Sequence, residues 1–227
     1  MLKLDDLKGI AREIISVESE KKNIPVSLFC FATLEYYNSA YFKQSLKEGN
    51  PLILLPFIAG GFVPSDAPII ILFPDQYRSY LRNNMQKYVL YIKTVYHEFK
   101  HILQNHSHDF SYENCISFIE FIVRYDRGYY SKYHDSFLNE NDADLYGINM
   151  AYDFFVKKNM LTPNIKKYIE SIKQNFEFRY NNFNPYKLLE KFNEMIKGKN
   201  RSKYCLDSFL NHSFFELFMI VKEIIKS

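Results

Sequence analysis

The chain has 227 residues, of which 47% are hydrophobic, and its formal net charge is only +3. This length and composition are typical of a globular protein with a sizeable core, and we expect a single domain over residues 1–227. The Lys and Arg residues are scattered among acidic ones, which argues against a nucleic-acid partner, and the most apolar stretches, 51–63 and 67–73, are too short to span a membrane.

The N-terminal part of the chain is predicted to be helical. Apolar residues recur at helical spacing between residues 3 and 21, and a second helix is predicted over 26–47, after Pro25. Charges interrupt the apolar residues of the first helix, so it lacks the continuous apolar region of a secretory signal. The three cysteines of the chain stand far apart without a CxxC pair, which is typical of a reducing compartment. We therefore expect a cytoplasmic protein.

The middle of the chain is predicted to form a small sheet followed by a long helix. Residues 51–58 and 67–73 are rich in Ile, Leu and Phe, and the Gly and Pro residues between them favour turns. The apolar residues of the next segment fit one helix over 81–103. These elements predict two or three short strands that precede the helix.

The remainder of the chain is predicted to be helical. The further helices are 111–125, 138–158, one that starts at Thr162-Pro163, one that starts at Asn184-Pro185, and 207–226. Two of them begin with a capping residue before a proline, which favours the first helical turn. The predicted fold class is therefore α+β, mainly helical, with a small sheet.

The helix predicted over 81–103 contains an HExxH motif, formed by His97, Glu98 and His101. Residues four apart lie one above the other on a helix, so both imidazoles can bind one metal ion, and the glutamate can reach a water molecule on that ion. A catalytic zinc site needs a third protein ligand and keeps one open position. The motif therefore predicts a zinc site whose third ligand lies elsewhere in the chain.

A second motif supplies that ligand by resemblance. Residues 139–144 read Asn-Glu-Asn-Asp-Ala-Asp, which resembles the NExxAD signature of gluzincins, including HtpX-like peptidases, and more loosely the ExxAxxFA pattern of the ImmA/IrrE group. The resemblance implies that Glu140 is the third zinc ligand. It also implies that Asp144, one turn further on, accepts a hydrogen bond from a ligating histidine. Asp142 is expected to be a solvated charge near the positive end of its helix.

The resemblance to gluzincins, which covers about residues 67–158, implies a zincin-like fold with a small sheet packed on the HExxH helix. It implies one Zn²⁺ per chain and hydrolysis of a peptide or protein substrate, with Glu98 as the general base. We expect the strand at 67–73 to lie at an edge of the sheet, where it could align an extended peptide. The small residues Ala143 and Gly147 should let their helix approach the HExxH helix closely. A gluzincin usually adds a residue that stabilises the oxyanion, and the candidates before the Glu140 helix are Tyr129, Tyr130, Tyr133 and His134.

Two alternatives remain open from the sequence. One is an ImmA/IrrE-like regulatory protease that cleaves a single partner protein. The other is a binding protein with a degenerate HExxH site, which Lys100 favours because metallopeptidase motifs seldom carry a charge between the glutamate and the second histidine.

Overall fold

The computed structural model describes residues 4–30, 60–63, 68–74, 77, 84–106, 134 and 137–182. The helices in this part are α1 (Leu4–Lys22), α2 (Asn84–His106), α3 (Leu138–Lys157) and α4 (Pro163–Asn181), and the strands are β1 (Ser27–Cys30), β2 (Gly61–Phe62) and β3 (Ile69–Leu72). The described part is thus mainly helical with a small sheet, as predicted. The elements predicted at 51–58, at 111–125, after Asn184-Pro185 and at 207–226 lie outside it.

Strand β3 is the central strand of the described sheet. It pairs in parallel with β1, with Ser27 opposite Ile69, and antiparallel with β2, with Gly61 opposite Leu72. Three of its four residues are buried. The prediction of an edge strand at 67–73 is therefore wrong. An unbroken run of Ile and Leu is typical of a strand that is covered on both faces.

The prediction of a helix over 26–47 is wrong at its beginning, because Ser27–Cys30 form strand β1. At the start of β1, the Ser27 N–H donates to the carbonyl oxygen of Pro68, the residue before β3, at 2.9 Å. The Leu and Phe side chains of this segment suit a strand as well as a helix, so the partner strand decides between them. Residues 31–47 lie outside the described part of the chain.

Helices α1 and α2 pack through the residues whose spacing predicted them. The buried apolar residues of α1 are Leu7, Ala11, Ile14 and Ile15, and those of α2 include Val89, Ile92, Val95, Phe99 and Ile102. The Tyr91 hydroxyl on α2 donates to the Leu7 carbonyl oxygen at 2.8 Å, which joins the two helices inside the core. Helix α2 extends to His106, beyond the predicted end at residue 103.

Helices α3 and α4 complete the core around α2. α3 matches the helix predicted over 138–158, and α4 begins as predicted at Pro163, where Thr162 Oγ1 accepts a hydrogen bond from the Ile165 N–H at 3.3 Å. Both helices contribute to the cluster of buried side chains that also includes α1, α2 and β3. Helix α2, which carries the HExxH motif, therefore lies at the centre of the described elements. None of the four described helices combines the length and the apolar character needed to cross a membrane.

Candidate metal centre

His97 and His101 lie one turn apart on α2 and direct their Nε2 atoms toward each other. The two Nε2 atoms are 3.1 Å apart, and the rings meet edge to face with their centroids 4.7 Å apart. Both side chains are largely buried. The i, i+4 spacing thus brings the two imidazoles together as the sequence predicts.

Glu140 reaches the same point from the first turn of α3. Its Oε2 atom lies 3.3 Å from Nε2 of His97 and 3.4 Å from Nε2 of His101. This oxygen is buried. Burial of a carboxylate is costly unless a positive partner balances its charge.

The distances between these three atoms fit a zinc ion. Zinc binds imidazole nitrogen and carboxylate oxygen at about 2.0–2.1 Å, and a tetrahedron of that size separates its ligand atoms by roughly 3.3–3.4 Å. The three separations here are 3.1, 3.3 and 3.4 Å. His97, His101 and Glu140 could therefore hold one tetrahedral metal ion and leave its fourth position for another ligand.

The hydrogen bonds of Gln104 determine which nitrogen of His101 faces the candidate metal position. The Gln104 side-chain amide donates to the Asn139 carbonyl oxygen and to Asp142 Oδ2, both at 2.9 Å, so its Oε1 must be the atom that faces His101. Oε1 lies 2.8 Å from His101 Nδ1, which therefore carries the proton and donates it. Nε2 is therefore the nitrogen that faces Glu140 and His97, and it is the one that would bind a metal ion.

Asp144 lies next to Nδ1 of His97, as Gln104 lies next to Nδ1 of His101. Its Oδ1 atom lies 2.9 Å from His97 Nδ1 and accepts a hydrogen bond from the Lys93 ammonium, while its Oδ2 atom accepts one from Arg179 at 2.5 Å. Burial alone would raise the pKa of Asp144, but Lys93 and His97 outweigh burial and hold that pKa well below its usual range. Asp144 is thus a carboxylate held in its charged form against the second nitrogen of His97.

Asp142 is not the solvated charge that the sequence predicts. Its side chain is largely buried, accepts the hydrogen bond from Gln104, and lies 3.0 Å from the Lys100 ammonium. Lys100 Nζ also lies 5.5 Å from the centre of the Tyr146 ring. Lys100, the charged residue that departs from the usual metallopeptidase motif, therefore forms an ion pair with Asp142 on α3.

Glu98 lies beside the two histidines and beneath strand β2. One of its carboxylate oxygens is within 4.8 Å of the ligand nitrogens of His97 and His101. A Cβ atom on Gly61 of β2 would come within 3.0 Å of Glu98 Cγ, so the strand passes directly over this side chain. Burial raises the pKa of Glu98, and the two histidines only partly oppose this effect. Glu98 is therefore placed to accept a proton next to the candidate metal position.

Charge within the cluster shifts the pKa values of His101 and Glu140 in opposite directions. Burial alone would lower the pKa of His101, but the Glu140 carboxylate outweighs burial and raises it to about 9. Burial alone would raise the pKa of Glu140, but the imidazoles of His101 and His134 hold it well below its usual range. The cluster therefore favours a positive charge next to Glu140.

His134, one of the four predicted oxyanion donors, lies at Glu140. Its Nε2 atom is 3.2 Å from Glu140 Oε2, and its side chain is 38% exposed. Tyr129, Tyr130 and Tyr133 lie outside the described residues. His134 is thus the one described candidate, and the structure brings it into contact with the predicted ligand Glu140.

Sequence reasoning missed three residues of this site, of which Gln104 contacts His101 while Lys93 and Arg179 contact Asp144. Gln104 follows His101 by three residues on one helix, and this spacing could have revealed it. Lys93 precedes His97 by four residues on the same face and could have been found in the same way. Arg179 is distant from Asp144 in sequence, so only the packing of α4 against α3 reveals their contact.

No protein family, curated protein or solved structure gives a significant match to this chain. The interpretation of these residues as a candidate metal site therefore rests on their geometry in this chain. A mainly helical α+β fold brings an HExxH motif and a carboxylate of the next described helix to one buried point.

Proposed function

We propose that the protein is a zinc-dependent hydrolase of the gluzincin kind, a metallopeptidase, with one Zn²⁺ per chain bound by His97, His101 and Glu140. The observation that carries this proposal is the near-tetrahedral spacing of two Nε2 atoms and one Oε2 atom. Supporting features are the small sheet that packs on α2 and the delivery of Glu140 by α3. Both agree with the zincin-like fold that the sequence resemblance implies. A peptide as the substrate is supported by that resemblance.

The roles of the residues follow from their contacts. Zinc in such a site lowers the pKa of a water ligand to about 7 and polarises a carbonyl group of the substrate. Glu98 accepts the proton of the attacking water and passes it to the leaving amine. Burial raises its pKa, which makes the Glu98 carboxylate a stronger base for the first of these steps. Gln104 and Asp144 hold the two imidazoles with Nε2 toward the metal.

The proposal is tested by metal analysis and a hydrolysis screen on the full chain, purified without chelators. We expect about one zinc per chain and cleavage of unstructured peptides. Glu98→Gln should keep the zinc and lose hydrolysis by a factor on the order of 10² to 10⁴, the usual contribution of a general base. Glu20→Gln is the matched control, because Glu20 is an exposed residue of α1, and this variant should behave as the wild type does.

Other outcomes would redirect the assignment. Absence of any transition metal, even after reconstitution with zinc, would contradict the metal site itself. Zinc binding by a wild-type protein that cleaves no peptide or protein would point to a binding protein instead. Cleavage confined to a single protein partner would favour a regulatory protease of the ImmA/IrrE kind.

A further inference from the structure

Three imidazole groups surround one oxygen atom of Glu140. The Nε2 atoms of His97, His101 and His134 lie 3.3, 3.4 and 3.2 Å from Glu140 Oε2. A carboxylate oxygen has two lone pairs and cannot accept normal hydrogen bonds from three donors at once. A separation of about 3.3 Å is also the distance between ligand atoms around a tetrahedral zinc ion.

His134 reaches this cluster from the start of α3. The Phe137 N–H donates to the His134 carbonyl oxygen at 3.1 Å, and Phe137 is the residue that caps α3. The backbone of His134 is therefore attached to the helix that carries Glu140.

His134 is also the most exposed member of the cluster. Its side chain is 38% exposed, whereas those of His97, His101 and Glu140 are 10%, 15% and 7% exposed. His134 is therefore the member of the cluster that is most accessible to a water molecule or a substrate from the solvent.

We propose that His134 is a fourth protein ligand, which occupies the open position of the metal and closes the site in the resting protein. This inference rests on the proposed metal centre, and it replaces the oxyanion role that the sequence suggests for this residue. A site with three imidazoles and one carboxylate has no position for a water ligand. Hydrolysis then requires His134 to move away from the metal, and 38% of its side chain is exposed to solvent.

Zinc X-ray absorption spectroscopy of the loaded wild-type protein tests this directly, because the scattering of imidazole rings reports how many of them bind the metal. We expect three imidazoles in the wild type and two in His134→Ala. Competition with a chelator should show at least about tenfold weaker zinc binding in this variant, since even the loss of a residue that only supports a ligand costs about 10- to 100-fold. Peptide hydrolysis by His134→Ala should equal or exceed that of the wild type. His106→Ala, which removes an exposed histidine at the end of α2, is the matched control and should leave all three measurements unchanged.

The results separate this inference from the proposed function. Two imidazoles in the wild type, with zinc affinity unchanged in His134→Ala, would overturn the fourth ligand and leave the zinc site intact. If hydrolysis also fell in that variant, His134 would act on the substrate, as an oxyanion donor does. A wild-type protein that binds no zinc would overturn both proposals.

Discussion

The substitution Gly147→Ala tests the close approach of α3 to the HExxH helix. A Cβ atom at this position would lie 2.6 Å from the Lys93 carbonyl oxygen and 3.2 Å from the His97 nitrogen, both of which belong to the backbone of α2. Ordinary contacts begin at 3.4 Å, so the two helices must move apart by about 0.8 Å. Overpacking of this kind costs up to about 3 kcal/mol, and the better helix propensity of alanine returns about 1 kcal/mol. We therefore expect a loss of about 2 kcal/mol in the free energy of unfolding.

The same displacement should weaken zinc binding. Glu140 and Asp144 lie on α3 with Gly147, whereas the two histidines lie on α2. When the helices separate, the distances from Glu140 Oε2 to the two Nε2 atoms no longer fit a tetrahedral ion. We expect zinc affinity to fall by about 10- to 100-fold, as when a supporting residue of a metal site is lost. Each tenfold loss removes about 1.4 kcal/mol of stabilisation by zinc, so the variant should be further destabilised when zinc is present.

Urea unfolding with and without zinc measures both effects, and Gly9→Ala is the control. Gly9 is an exposed residue of α1, and a Cβ atom there would meet nothing within 4 Å. This variant should gain about 0.5–1 kcal/mol and bind zinc as the wild type does. If Gly147→Ala were as stable as Gly9→Ala, the reasoning about helix contact would be refuted. If stability fell but zinc affinity did not, the contact between α3 and α2 would contribute to core packing but not to zinc binding.

Three further predictions concern the ligands, their support and a helix cap. Glu140→Gln should lose more zinc affinity than Asp144→Asn, for which we expect a loss of about 10- to 100-fold. Competition with a chelator measures the affinity of both variants. A larger loss in Asp144→Asn would make the aspartate the ligand. Gln104→Leu keeps the side-chain size but removes the acceptor of His101 Nδ1, so zinc affinity should fall by about tenfold in the same assay. An unchanged affinity would show that this amide does not orient the ring. Thr162→Ala should cost about 1 kcal/mol in urea unfolding, because it removes the cap of α4, and a smaller cost would show that the cap is dispensable.

The sequence predicts the helices of this fold better than its strands. The boundaries of α3 and the start of α4 follow from local signals, since Thr162-Pro163 fixes the first turn of α4 without help from other elements. The segment Ser27–Cys30 carries no comparable signal. It becomes a strand because β3 offers a partner that is distant in sequence, and the same pairing places β3 in the middle of the sheet. Strand order depends on contacts that a local pattern does not encode.

The candidate site shows the same division between local and long-range information. The meeting of His97 with His101 follows from helical geometry alone, and the place of Glu140 follows from a recognisable motif. The contact of Arg179 with Asp144 depends on how α4 packs, and no spacing rule predicts it. His134 was one of four candidates on a predicted loop, and only its contact with Glu140 singles it out.

The acidic residues at the start of α3 explain why Lys100 is compatible with a metal site. Glu140, Asp142 and Asp144 alternate along the chain, and each meets at least one basic group of α2. Glu140 meets the imidazoles, Asp144 meets Lys93 and one imidazole, and Asp142 meets Lys100. Without Asp142, the ammonium of Lys100 would stand partly buried on the HExxH helix with one carboxylate fewer to balance it, and it would oppose the binding of a cation. Because Asp142 also accepts from Gln104, the residue that balances Lys100 helps to orient His101. The helix that delivers Glu140 thus also delivers the counterion of Lys100.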